Sequence, residues 1–272
     1  MSGRISTGKA LCIAAMSSAL ISAAHPASIR TFVSALGNDS NTAVNCPREK
    51  PCRTLATAYT VTENGGEIIA LDAADYGPIT ITKQLSIFGA HDAIIAVATG
   101  SAGVTINAPG GDRVIIRDFV ISGAGATNTQ GIQLNSGQLA LLNSTLKQLS
   151  IGLNVSNTKA DVVNTDVIAN GTGINTTGTG VDTNVFPLKG PTQVRIAWGN
   201  AIGNTNAYVM NNPGTGSAGN KITIFEFLTS NTDAAYSTNM TGNTTLVSGT
   251  GASCSGTNCQ SLGYYSSYTN LN

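Results

Sequence analysis

Glycine followed by isoleucine or leucine recurs in this chain at a fixed interval of 21 residues, as Gly131-Ile132, Gly152-Leu153 and Gly173-Ile174. Asn143 and Asn164 keep the same interval, each nine residues ahead of a glycine of that series. Written on this period, positions hold their chemical character. Ile116, Leu141, Val162 and Ile196 form one column, and Val114, Leu139, Ala160 and Val194 form another two residues earlier. The residues between them, Ile115, Ala140, Asp161 and Arg195, are mixed. This is the two-residue alternation of a strand, repeated once per turn. Asp118 and Trp198 fall at the asparagine position in flanking coils that carry insertions. A unit of this length holds three short strands and tight bends. It does not hold two strands and a crossover helix, and no helical stretch lies in the repeat. The repeat therefore predicts an all-β chain, a single-stranded right-handed parallel β-helix closed inside by Val/Ile/Leu columns. Each coil should add ~4.8 Å, so six or seven coils make a rod of roughly 30 Å. Asn143 over Asn164 should form a ladder at a bend, their amides bonding each other and the backbone groups freed there.

Around the repeat the chain divides into four parts. Residues 1–24 read as a cleaved secretion signal, with Arg4 and Lys9 before an alanine-rich apolar run and Ser22-Ala23-Ala24 as the cleavage site. Ser17 and Ser18 interrupt that run, which falls short of the about 20 apolar residues that span a bilayer. Residues 25–66 read as an N-terminal cap. It has a strand at Arg30-Thr31-Phe32-Val33-Ser34, a turn at 37–41, and a short helix over 53–63 with Leu55, Ala58, Tyr59 and Thr62 on one face. Asn64-Gly65-Gly66 should stop the helix. Residues 67–230 carry the solenoid, and residues 231–272 form a C-terminal cap or tail in which Tyr264, Tyr265 and Tyr268 either cover the open end or lie exposed.

Cysteine usage and charge narrow the setting. Cys12 leaves with the signal, and the others form two local pairs, Cys46 with Cys52 and Cys254 with Cys259. In an oxidising compartment these read as two short-loop disulfides; a zinc site would need all four thiols to meet from opposite ends of the solenoid. The expected location is secreted, periplasmic or cell-surface. Only 10% of residues are charged, and loss of the signal leaves 12 Lys and Arg against 14 Asp and Glu. That balance gives no reason to expect nucleic acid, and no later segment is apolar over the length of a membrane helix.

The motifs Gly37-Asn38-Asp39, Pro51-Cys52-Arg53-Thr54-Leu55-Ala56-Thr57-Ala58 and Gly65-Gly66-Glu67-Ile68-Ile69 mark the cap. Then come Ile79-Thr80-Ile81-Thr82-Lys83-Gln84-Leu85-Ser86-Ile87-Phe88-Gly89 and the Asn and Gly-Ile repeats. Over about residues 30–230 this arrangement resembles the pectate-lyase-like superfamily of right-handed parallel β-helices, in particular its small secreted bacterial members. The resemblance speaks to fold and cap more than to activity, because this fold hosts lyases, hydrolases, esterases, epimerases and non-catalytic adhesins. It implies that a polysaccharide would lie along the sheet built by the Gly-Ile strands. The outward residues there should be Thr105, Gln133, Asn154, Asn175 and Val209, the first four being the candidate ligand-binding set.

Amides and a hydroxyl can hydrogen-bond sugar hydroxyls. None serves as a general acid or base near neutral pH, and none offers the carboxylates of a calcium site. Asn164-Thr165-Asp166 matches a short polygalacturonase motif, but the companion Asp-Asp, Gly-His-Gly and Arg-Ile-Lys elements are absent, and Arg195-Ile196-Ala197 lacks the lysine. Asn164 is better read as a ladder residue, with Asp166 in a column of Val120, Thr145 and Asn200. Hydrolysis by two carboxylates would need a second acid at a suitable separation, and no partner stands out. Asp161 and Arg195 in adjacent coils read as a surface ion pair worth at most about 1 kcal/mol. Arg113, Gln138, Lys159 and Gln193 line a neighbouring column, a solvated face able to meet an acidic glycan. His91 beside Asp92 reads as a loop residue, and the threonine runs at 79–82 and 176–179 do not stack into the regular array that ice binding needs. The reading that follows is a secreted or surface β-helix that binds carbohydrate or serves as a structural module, without catalysis, cofactor or metal. Its partner would be a polysaccharide or cell-surface glycan. The alternative is a lyase or hydrolase acting on an acidic polysaccharide, with Arg117, Asp118, Asp161 and Asp166 as catalytic candidates and calcium entering only in that case.

Overall fold

The structure, a computed structural model, describes residues 27–177, 192–212, 221–230 and 234–240. Its strands stack in sequence order, each pairing in parallel with its equivalents in the coils before and after. The Gly-Ile sheet runs Ile79–Ile81, Ala102–Asn107, Gln130–Ser136, Ile151–Ser156, Thr172–Thr177, Asn206–Asn212, Ala234–Met240. The second sheet begins with Ser28–Val33 and Thr62–Ala70. It continues through Leu85–Ala96, Arg113–Ser122, Gln138–Leu142, Lys159–Val163, Gln193–Ile202 and Lys221–Ser230. Its longer strands bend midway, and their far halves pair with the short strands Thr145–Lys147 and Asp166–Ile168. The chain is an all-β parallel β-helix.

The register is the one the 21-residue period predicts. Ile116 lies opposite Leu141, Leu141 opposite Val162, and Val162 opposite Ile196; Val114, Leu139, Ala160 and Val194 stack the same way. All eight are at most 1% exposed. Burying such a side chain is worth about 1.5–3 kcal/mol for Val, Leu or Ile, so the stacked columns are the main source of stability. The repeated glycine has a steric cause. A Cβ on Gly131 would sit 2.4 Å from the carbonyl oxygen of Gly152, and one on Gly152 would sit 2.5 Å from that of Gly173.

Two bends carry side-chain ladders. At the first, Asp92, Asp118, Asn143 and Asn164 all take left-handed φ angles of 46 to 64°, which Asn and Asp tolerate better than other side chains. Asn164 Nδ2 donates to Asn143 Oδ1 at 3.0 Å, the expected ladder, and it is exposed. A buried ladder at the second bend is not apparent from the 21-residue period. Asn170 Oδ1 accepts from the Leu149 N–H at 3.0 Å, while its Nδ2 donates to Leu146 O at 3.0 Å and to Asn204 Oδ1 at 2.9 Å. Asn204 repeats the pattern by donating to Val167 O at 2.8 Å. The two are 34 residues apart, as are Asp161 and Arg195, because the intervening coil carries an insertion.

The N-terminal segment departs from its predicted bounds in two ways. Ser28–Val33 pairs with Thr62–Ala70 and so joins the solenoid's second sheet. Its free edge is covered by the loop of the Cys46–Cys52 disulfide, through Phe32 N–H to Cys46 O and Cys52 N–H to Phe32 O, both 2.9 Å. The helix spans Leu55–Val61, capped by Thr54, and stops before Glu63. Thr62 is already extended, and its hydroxyl bonds Ala58 O and the Thr31 hydroxyl, each at 2.8 Å. Asn64-Gly65-Gly66 therefore lies inside a strand rather than ending the helix. Lys83 Nζ closes the helix C-terminus on Tyr59 O at 3.2 Å and on Thr62 O, 4.3 Å from the Tyr59 ring centre. At the far end the Gly-Ile sheet runs past residue 230 to Ala234–Met240.

Of the two expected disulfides, the described residues contain one, Cys46–Cys52. The second expected bridge, between Cys254 and Cys259, is not among them. Cys254 and Cys259 both lie outside the described residues, as do residues 1–24.

Candidate functional site

The outward column of the Gly-Ile sheet assembles in register. Thr80 lies opposite Thr105, Thr105 opposite Gln133, Gln133 opposite Asn154, and Asn154 opposite Asn175; Val209 follows. Alternation along each strand puts the side chains from Thr80 to Asn175 on the outer side because Ile132, Leu134, Leu153 and Val155 are fully buried on the inner side. The amides are partly committed to each other. Asn175 Nδ2 donates to Asn154 Oδ1 at 2.9 Å, and Asn154 Nδ2 donates to Gln130 Oε1 at 3.2 Å. Asn175 is 8% exposed, so the upper end of the strip is rigid and nearly closed. Beside it Asn135 Nδ2 donates to Asn107 Oδ1 at 2.9 Å and Ser156 shares a hydroxyl bond with Thr177 at 2.5 Å. From Thr80 to Asn175 is four strand spacings, about 19 Å of uncharged polar surface.

The charged candidates lie elsewhere and do not form one group. Arg117 Nε pairs with Asp118 Oδ2 at 2.7 Å at the first bend, where Arg117 also covers the Phe88 ring at 5.5 Å. Asp166 Oδ1 accepts from the Asn200 backbone N–H at 3.1 Å and from its Nδ2 at 2.7 Å, which ties two coils together. Asp161 Oδ1 accepts from Arg195 Nε at 2.6 Å, and its Oδ2 lies 3.6 Å from Arg113 Nη2. The hydrogen bond and charge of Asp161 hold the Arg195 guanidinium above its ordinary pKa. Each of these carboxylates thus has a structural partner, and Asp161 and Asp166 fall on opposite sides of the bend at Asn164. His91 pairs with Asp92 at 2.8 Å at the exposed bend within Leu85–Ala96, a strand rather than the expected loop.

On the second sheet, Arg113, Gln138, Lys159, Asp161 and Arg195 line an open groove of about 300 Å³. The sequence columns identify these residues but not that Arg113 reaches Asp161 across two coils. Among the described residues no group of three or more His, Cys, Asp or Glu gathers as a metal site, and no helix is long and apolar enough to cross a membrane.

No protein-family model matches the chain, and no curated protein matches it. Among solved structures, similarity extends to pectate lyase Pel9A, at 13% identity and a TM-score of 0.35 over 79% of this chain and 80% of that one. It extends also to a rhamnogalacturonan lyase, at 15% identity and a TM-score of 0.31 over 80% of this chain and 67% of the other. The strand order and registers of the chain itself make it a parallel β-helix.

Proposed function

We propose that this chain is an exported β-helix that binds a polysaccharide along the Gly-Ile sheet and does no chemistry on it. The observation that carries this reading is the in-register, uncharged column of Thr105, Gln133, Asn154 and Asn175, in which Asn154 is held by amide bonds to Gln130 and to the nearly buried Asn175. A prearranged row of amides and hydroxyls loses little entropy on meeting sugar hydroxyls, which suits recognition. It offers no proton acceptor for β-elimination and no acid for a leaving group. The commitment of Asp118, Asp161 and Asp166 to partners within the fold further supports binding without turnover. Export is supported by the N-terminal segment of the sequence and by the Cys46–Cys52 disulfide, a bond favoured in oxidising compartments.

Affinity electrophoresis through gels containing plant, algal or bacterial polysaccharides tests this, run beside reducing-end and unsaturated-uronate assays on the same panel. Retardation by at least one polysaccharide, reduced in Gln133→Ala/Asn154→Ala and without new chain ends, is expected. Absence of retardation throughout the panel contradicts recognition. New chain ends that disappear in Arg117→Ala or Asp166→Ala would establish the lyase or hydrolase alternative instead.

A further inference from the structure

The second sheet carries a feature that binding on the Gly-Ile face leaves unused. Register places Arg113 opposite Gln138, Gln138 opposite Lys159, and Lys159 opposite Gln193, with Lys221 next in the same column. Cationic positions therefore recur on every second coil, about 9.6 Å apart along the axis. In the neighbouring column one coil further, Arg195 stands beside Asp161. The groove lined by these side chains holds three cations against one carboxylate. Arg113 and Arg195 share Asp161 and remain 53% and 69% exposed, while Lys159 is exposed and has no ion-pair partner among the described residues. This local excess sits on a chain with equal numbers of Lys and Arg as of Asp and Glu, so it is a property of one face rather than of composition.

We propose that this groove is a second, anion-binding site for a linear acidic glycan laid parallel to the solenoid axis. The spacing favours a chain with one carboxylate or sulfate per disaccharide, since two sugars of an extended chain advance by about two strand spacings. Gln138, between the cationic rungs, faces the intervening sugar with both a donor and an acceptor. Asp161 holds the guanidinium groups of Arg195 and Arg113 toward the groove and also limits its charge. Its removal should strengthen polyanion binding rather than weaken it.

The test measures binding of a carboxylated and a sulfated linear glycan of matched length, with neutral dextran as control, by isothermal calorimetry at several salt concentrations. The site predicts salt-sensitive binding of a charged glycan, weakened about tenfold in Arg113→Gln/Lys159→Gln. It also predicts binding strengthened several-fold in Asp161→Asn, and no groove-dependent binding of dextran. Which charged glycan binds more tightly tells carboxylate from sulfate recognition. Far-UV circular dichroism confirms folding of each variant. Unchanged affinity in the double variant, or no gain in Asp161→Asn, would overturn the site. Gln133→Ala/Asn154→Ala, on the other sheet, should leave acidic-glycan affinity at the groove unchanged, so failure of the Gly-Ile face and failure of the groove read out separately.

Discussion

Asn170→Ala removes one amide that joins three coils. The wild-type side chain is 2% exposed and satisfies the Leu149 N–H and the Leu146 carbonyl in the coil before, and Asn204 Oδ1 in the coil after. The variant leaves the Leu149 N–H buried without its partner, while the Leu146 carbonyl stays in the strand ladder opposite Val167. Asn204 Oδ1 still accepts from the backbone N–H of residue 170. An orphaned buried group costs about 1–3 kcal/mol, which puts the loss in that range. That is a measurable part of the about 5–15 kcal/mol that holds an ordinary domain together. Asn143→Gly is the control, because it keeps the left-handed bend and loses only the exposed ladder bond to Asn164, for less than about 1 kcal/mol. Urea unfolding followed by circular dichroism measures both, and native-state hydrogen exchange at the Leu149 amide gives the local effect. The two variants being equally stable, with Leu149 protection unchanged, would refute the claim that the second bend is held by a buried amide ladder.

Three further outcomes follow from the described packing. The Thr176 hydroxyl is fully buried and has no hydrogen-bond partner among the described residues, so Thr176→Val should raise stability by about 1 kcal/mol and the melting temperature by roughly 2–4 °C in a thermal scan. Lys83→Met keeps the aliphatic stem but leaves the Thr62 and Tyr59 carbonyls uncapped, which should cost about 1–2 kcal/mol and speed hydrogen exchange in Leu55–Val61 before the rest of the fold. Burial pushes the Asp72 carboxyl up, but hydrogen bonds from the Tyr76 and Ser34 hydroxyls and the Ala35 N–H, with the Arg53 charge, outweigh it and leave the pKa below 3.8. A depressed folded pKa means that this stabilisation is complete above about pH 4 and is lost as pH falls through the folded value. Exchange protection at Ala35 should therefore drop in acid, and Asp72→Asn should remove that drop.

The fold is legible in the sequence because its cause is periodic. Gly131 and Gly152 exist to let carbonyls of successive coils pass close by, and Leu141 and Val162 exist to fill the same stack, so spacing alone exposes both. The exposed amide pair at Asn143 and Asn164 shares that period and is readable with it. Asn170 and Asn204 are not, because the insertion between their coils stretches the interval to 34, and in the coil before them the position is an apolar Leu149. The helix ends earlier than its spacing predicts. Thr62 faces the same way as Ala58 on a helical wheel, yet its hydroxyl is spent closing the helix as the strand begins. Of the two faces, the columns place the amide strip and the basic groove. Only side-chain geometry reveals that Asn154 and Asn175 bond each other, and that Arg113 and Arg195 converge on Asp161.

Methyl–methyl nuclear Overhauser contacts in protein labelled at Ile, Leu and Val methyls test the stacking on which both faces depend. The in-register coils predict direct cross-peaks from Ile116 to Leu141 and from Leu141 to Val162. Ile116 and Val162, two coils apart at about 9.6 Å, should give none at short mixing time. Absence of the Leu141–Val162 contact, or a direct Ile116–Val162 contact in its place, would contradict the register and with it the placement of every outward residue named above.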